Sequence, residues 1–166
     1  MARPPEIAFL RRVPLFQDLE EPVLRALGPS FRERRLRAGD VVFRTGDRGE
    51  ELFLVKEGRI VVSKPVTGRI EQVLNRVEPG GAFGEMSVFG DERHRSATCQ
   101  AETDVILYSL DRESLNRFIA DNPLTAARFF QQLAMVAFKR LRDSSDLVAE
   151  VTRWGLEATG LDVEHT

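Results

Sequence analysis

Between Gly39 and Leu110 the apolar residues come in runs of three to six, rich in valine, isoleucine and phenylalanine and cut by glycine-bearing polar stretches. The runs are Val41–Phe43, Leu52–Val55, Arg59–Val62, Ile70–Leu74, Ser96–Ala101 and Val105–Leu110. Runs this short, bounded by turn residues, predict strands rather than helices. Nine of the 12 glycines fall between Gly39 and Gly90, which marks the stretch as one compact β unit. The expected fold is mainly β, a jelly-roll-like barrel with flanking helices. Arg32 to Arg37, interleaved with Glu33 and Leu36, reads as a solvated strand rather than a nucleic-acid patch.

Helical signals flank that block. Residues 6–12 and 18–28 predict two short helices, the second opening at Asp18 with Glu20 and Glu21 in its first turn, where carboxylates favour the positive end of the helix dipole. Asp111 is placed to cap a helix running to about Asp121, and Asn122-Pro123 restarts the chain with a capping residue and a proline at the first helical position. Between Pro123 and Trp154 there is neither proline nor glycine. A helix of that span is about 48 Å long, more than a small barrel needs to cover it. Spacings of four and three put Phe130, Ala134, Ala137, Leu141, Ser144, Val148 and Val151 on one seam, six of the seven apolar. Such a seam packs on the protein's own barrel or on a second copy of itself, and the small alanines favour a parallel homodimer. The organisation expected is a helical segment over 1–30, a β-roll over 31–110, a short and a long helix over 111–154, and a tail over 155–166.

Composition changes this picture little. The chain has 166 residues, enough for one domain, with 42% hydrophobic and 30% charged residues, as globular domains have. Lys and Arg number 24 against 26 Asp and Glu, a net charge of −2 that announces no nucleic-acid surface. One cysteine, Cys99, excludes an internal disulfide and is expected to be a buried small apolar residue. No signal sequence and no 18-residue apolar run is present, so a cytoplasmic location is expected and a membrane partner is not. His94 and His165 stand in no metal-ligand spacing, and neither a nucleophile–histidine pair nor a glycine–lysine phosphate loop occurs, so no metal, cofactor or catalysis is expected. Trp154, Phe129, Phe130 and Phe138 are read as packing or seam residues.

Candidate chemistry concentrates between Phe83 and Thr98. Gly84 permits close approach of backbone to a ligand, and a helical turn opening at Glu85 would turn the free N–H groups of the next residues outward as an anion cradle. Eleven residues after Gly84, Arg95 supplies a planar guanidinium suited to phosphate oxygens, and Ser96 adds a hydroxyl and an amide. Glu85 would repel a phosphate but accepts well from a sugar hydroxyl, so Arg95 and Glu85 together describe a nucleotide with a single negative charge. On spacing alone, a surface turn with a Glu–Arg pair explains the same residues.

The run Phe83-Gly84-Glu85-Met86-Ser87 followed by Arg95-Ser96-Ala97-Thr98 resembles the phosphate-binding cassette of the cyclic nucleotide-binding domain family. Val13-Pro14-Leu15-Phe16, Gly46-Asp47 and Leu54 to Ile60 resemble further family features, so that the likeness spans residues 9 to about 150. The glycine-to-arginine gap and Asn122-Pro123 are similar to the bacterial catabolite activator branch. The resemblance implies that Gly84, Glu85, Met86, Ser87, Arg95, Ser96 and Ala97 form the ligand site, with Glu85 on the ribose 2′-hydroxyl, Arg95 and Ser96 on the cyclic phosphate and the amides near Met86 and Ser87 completing the cradle. It also implies that Ser144 and Ser145 meet adenine, one from each subunit of the homodimer.

Two departures stand out: Ser144 replaces a threonine, and His94 sits where proline is common. Past Gly155 no basic recognition helix follows, so the expectation is a stand-alone cAMP receptor that regulates a partner through its C-terminal helix and has no direct DNA binding. A cGMP-selective receptor and a ligand-free dimerising scaffold are the alternatives, whereas cupin enzymes of similar fold need metal histidines that this chain lacks.

Overall fold

The computed structural model describes residues 3–90 and 93–158. It divides into a compact unit over residues 1–132 and a second over 133–166, of which the described part continues the last helix. The expected tail from 159 onward, with His165, lies outside the described residues.

In the first unit two short helices, α1 (Ile7–Leu10) and α2 (Glu21–Leu27), precede eight strands. These are β1 (Arg32–Leu36), β2 (Val41–Phe43), β3 (Glu51–Glu57), β4 (Ile60–Thr67), β5 (Ile70–Val77), β6 (Ala82–Phe83), β7 (Thr98–Ala101) and β8 (Val105–Asp111), with α3 (Glu85–Phe89) between β6 and β7. They form two four-stranded sheets, in the orders β1-β8-β3-β6 and β2-β7-β4-β5. The jelly-roll-like arrangement is present, with the correction that its two sheets stack without closing into a hydrogen-bonded barrel. Phe53, Val55, Ile60, Val77, Phe83, Cys99, Ala101, Val105 and Leu107 fill the space between them. Full burial of each large side chain contributes about 1.5–3 kcal/mol, and this apolar filling holds the sheets together.

The helices carry three corrections. Asp18 does not open α2. A helix capped there would place Pro22 where its missing N–H and its ring meet the Asp18 carbonyl, so the helix starts at Glu21 with the proline in its first turn. Asp18 instead accepts a 2.6 Å bond from Gln132 Nε2. Asp111 caps α4 (Arg112–Asp121) as expected, accepting from Ser114 N at 2.8 Å. Asn122 does not use its side chain to cap α5 (Pro123–Ala158): its amide donates back to the Phe118 carbonyl at 3.2 Å. Its own carbonyl accepts from Ala126 N. Gly155 starts no tail but lies inside α5, because a glycine weakens a helix by about 1 kcal/mol without ending it.

Phe129, on the second turn of α5, is fully buried and sits 5.4–6.0 Å, ring to ring, from Phe16, Phe89, Phe118 and Phe130. It joins the N-terminal segment, α3 and α4 to the start of α5. In the second unit the seam positions from Ala134 to Val151 are exposed. Leu141, Val148 and Val151 show 54–66% of their surface, as does Trp154 at 63%, so among the described residues these apolar side chains find little cover.

Candidate functional site

The site grows from the joint between β6 and α3. Phe83 and Ala82 pair with Phe53 and Leu54 of β3, which anchors the chain just before it turns. Gly84 then adopts φ +83°, a left-handed conformation that favours glycine. Added at Gly84, a Cβ would also stand 2.9 Å from the Glu51 carbonyl oxygen and 2.8 Å from Arg95 Nη1. The turn points the first amides of α3 away from any intrahelical acceptor. Half-buried Glu85 begins this turn, and exposed Met86 follows.

Arg95 is delivered from the other side. Residues 93–95 are laced to the loop after β2 by Arg95 N to the Asp47 carbonyl (2.7 Å), Gly46 N to the Arg95 carbonyl (2.8 Å) and Gly49 N to the Arg93 carbonyl (3.1 Å). His94, which sits where proline is common, forms a β-bridge with Arg48. The Arg95 side chain is only 5% exposed. Its Nη1 donates to the Glu51 carbonyl (3.0 Å), the Gly84 carbonyl (3.2 Å) and Ser87 Oγ (2.6 Å). The Ser87 hydroxyl donates in turn to the Gly84 carbonyl at 3.2 Å. Arg95 Cζ lies 4.1 Å from the centre of the Phe43 ring and 5.6 Å from that of Phe53, a cation over two aromatic faces. Burial pushes the Arg95 pKa down, and the nearby carboxylates of Glu51 and Asp47 oppose it. A guanidinium stays charged under this pressure.

That cation has one buried donor, Nε, with no hydrogen-bond partner among the described residues. An unmet donor on a charged group costs about 1–3 kcal/mol or more, so the arrangement favours an anionic acceptor. Among the described residues no cluster of histidine, cysteine, aspartate or glutamate could hold a metal ion, and no helix is long and apolar enough to cross a membrane.

The residues singled out between 84 and 97 therefore meet at one place, with distinct orientations. Ser87 is buried and turned inward, so its hydroxyl serves Arg95. The Ser96 hydroxyl lies 3.3 Å from Met86 Sδ, bridging the arginine segment to α3. Ala97 is buried just before β7. Ser144 and Ser145 lie in the second unit, both exposed, and Ser145 Oγ donates to the Leu141 carbonyl of its own helix at 2.9 Å. Sequence reasoning missed Phe43, Phe53, Gly49 and the Glu51 carbonyl. Only the paired glycines of Gly46-Asp47-Arg48-Gly49 signalled that a close approach was needed there.

Comparison with known proteins bears on the same residues. A family model described as "Cyclic nucleotide-binding domain" matches residues 33–122. A CRP-like cAMP-activated global transcriptional regulator of Mycobacterium tuberculosis is 29% identical over 142 residues, covering 86% of this chain and 61% of that protein. A cGMP-dependent protein kinase, isozyme 2, of Drosophila melanogaster is 30% identical over 129 residues, covering 76% of this chain and 14% of that protein. The crystal structure of Thermus thermophilus catabolite activator protein superposes with a TM-score of 0.70 at 34% identity, covering 84% of this chain and 63% of that one. The chain thus spans about three fifths of the length of the first of these relatives and a small part of the second. The matched stretch holds both the glycine turn of α3 and the arginine seated against it, and this chain belongs to the cyclic nucleotide-binding domain family.

Proposed function

We propose that the domain is a receptor for cAMP that couples occupancy to the pose of α5 and so regulates a partner. The observation that carries this reading is the buried Arg95 cation, converging with the Gly84 turn and keeping one donor unmet. In the proposed complex Arg95, the Ser96 hydroxyl and the amides of Met86 and Ser87 hold the cyclic phosphate, while Glu85 accepts from the ribose 2′-hydroxyl. Ser144 and Ser145 meet the base across a parallel homodimer formed by α5, whose exposed apolar seam suits a second copy.

A route for coupling lies within the first unit. Phe89, the last residue of α3, packs 5.9 Å from Phe129 and 5.5 Å from Phe130 at the start of α5. A ligand that draws α3 toward its phosphate must shift Phe89, and with it the rings that seat α5. To change the balance of two helix poses tenfold, the ligand needs a differential affinity of about 1.4 kcal/mol.

A second reading, selectivity for cGMP, is favoured by the half-buried Ser96 hydroxyl beside the arginine and by the kinase relative. Calorimetric titration of purified protein with cAMP, followed by competition with cGMP, tests both. Saturable binding with cAMP preferred supports the proposal, and preference for cGMP selects the second reading. Absence of heat and of thermal stabilisation at millimolar nucleotide rejects both in favour of a scaffold.

A further inference from the structure

Added at Gly49, a Cβ would stand 2.1 Å from Arg95 Nε, 2.4 Å from Cζ and 2.4 Å from Nη2. All three of its nearest atoms belong to the guanidinium. Gly49 is not among the glycines with positive φ, so its backbone admits alanine without strain. Gly84 differs, because its left-handed φ and its contact with the Glu51 carbonyl both require glycine. The missing side chain at 49 is therefore explained by space and not by conformation.

Neither party to this contact is free to yield. Gly49 is held by its own amide on the Arg93 carbonyl, and its loop by the two bonds between residues 46–47 and Arg95. The guanidinium is fixed at Nη1 by three acceptors and stacked on Phe43. A methyl group at 49 must push the cation out of this seat and off at least part of that set.

We propose that Gly49, with Phe43, is a positioning residue that builds the seat of the Arg95 guanidinium and thereby sets the domain's affinity for its anionic ligand without touching it. The proposal rests on the reading of Arg95 as the phosphate-holding residue and adds the element that fixes where its charge is held.

A double-mutant cycle tests it on the whole chain. Gly49→Ala in the presence of Arg95 should lower the urea midpoint and weaken cAMP binding about fivefold or more, the equivalent of roughly 1 kcal/mol. In an Arg95→Ala background the same substitution should leave the midpoint unchanged or raise it, because alanine restricts the unfolded chain and no longer meets a guanidinium. Should Arg95→Ala fail to fold, Arg95→Leu, which has no atom at the Nε position, takes its place. Phe43→Leu should likewise weaken cAMP binding by removing the stacked face. An equal fall in midpoint from Gly49→Ala in both backgrounds would mark a merely structural glycine and overturn the proposal, as would unchanged cAMP affinity. If the unmodified protein binds no cyclic nucleotide, the receptor reading fails while the unfolding cycle still decides the seat.

Discussion

Ser87→Ala separates two roles that the residue type alone leaves joined, that of a ligand donor and that of a brace. Its hydroxyl is buried, accepts from Arg95 Nη1 at 2.6 Å and donates to the Gly84 carbonyl at 3.2 Å. A hydrogen bond to a charged group contributes about 1.5–3 kcal/mol. Nη1 keeps the Glu51 and Gly84 carbonyls when the hydroxyl is removed, so the cost should fall at the lower end, about 1.5 kcal/mol. With a urea m-value near 2 kcal/mol/M, that displaces the unfolding midpoint down by about 0.7 M in the absence of any ligand. Urea denaturation followed by circular dichroism measures it. A midpoint unchanged within about 0.2 M would show that the Ser87–Arg95 bond contributes nothing to the fold.

Other consequences follow from the same packing. Phe129→Ala removes a ring shared by four aromatic neighbours and should cost about 3–5 kcal/mol by urea denaturation, whereas a loss under about 1 kcal/mol would contradict the hub. Asp111→Ala should cost about 1 kcal/mol at pH 7 through loss of the α4 cap. Burial works to raise the Asp111 pKa, but the two hydrogen bonds from Ser114, the Arg32 charge and the residue's own backbone N–H together hold the carboxyl below its usual value. The carboxylate therefore contributes stability above its unfolded pKa, near 3.9, and loses it as pH falls through the lower folded value. The gap in midpoint between Asp111→Ala and the unmodified chain should accordingly close in strong acid, and a constant gap would refute this. Leu141→Glu places a charge on the exposed seam and should convert a dimer to a monomer in light scattering, while an unmodified chain that is already monomeric with and without nucleotide would remove the homodimer from the account.

What could be read from the chain was what local chemistry decides. Short β-branched runs between glycines became strands, Asp111 became a cap and Pro123 a first helical residue, because each depends on neighbours within a few positions. The turn at Gly84 was legible for the same reason, since a glycine before an acidic first turn carries its own conformation. The misreadings are of two kinds. Asp18 looked like a cap until the place of Pro22 was counted against it. The two-residue strand β6 is too short to show a pattern and exists because Phe53 and Leu54 pair with it. The seat of Arg95 was out of reach, because Phe43, the Gly49–Glu51 segment and Ser87 come from three separate stretches and meet only after folding.

Isothermal titration of cAMP into Arg95→Ala beside the unmodified protein, at one pH and ionic strength, addresses the site most directly. The account predicts that removing this buried cation weakens binding by about 2–3 kcal/mol, some 30- to 150-fold. An affinity within about twofold of the unmodified protein's would contradict it.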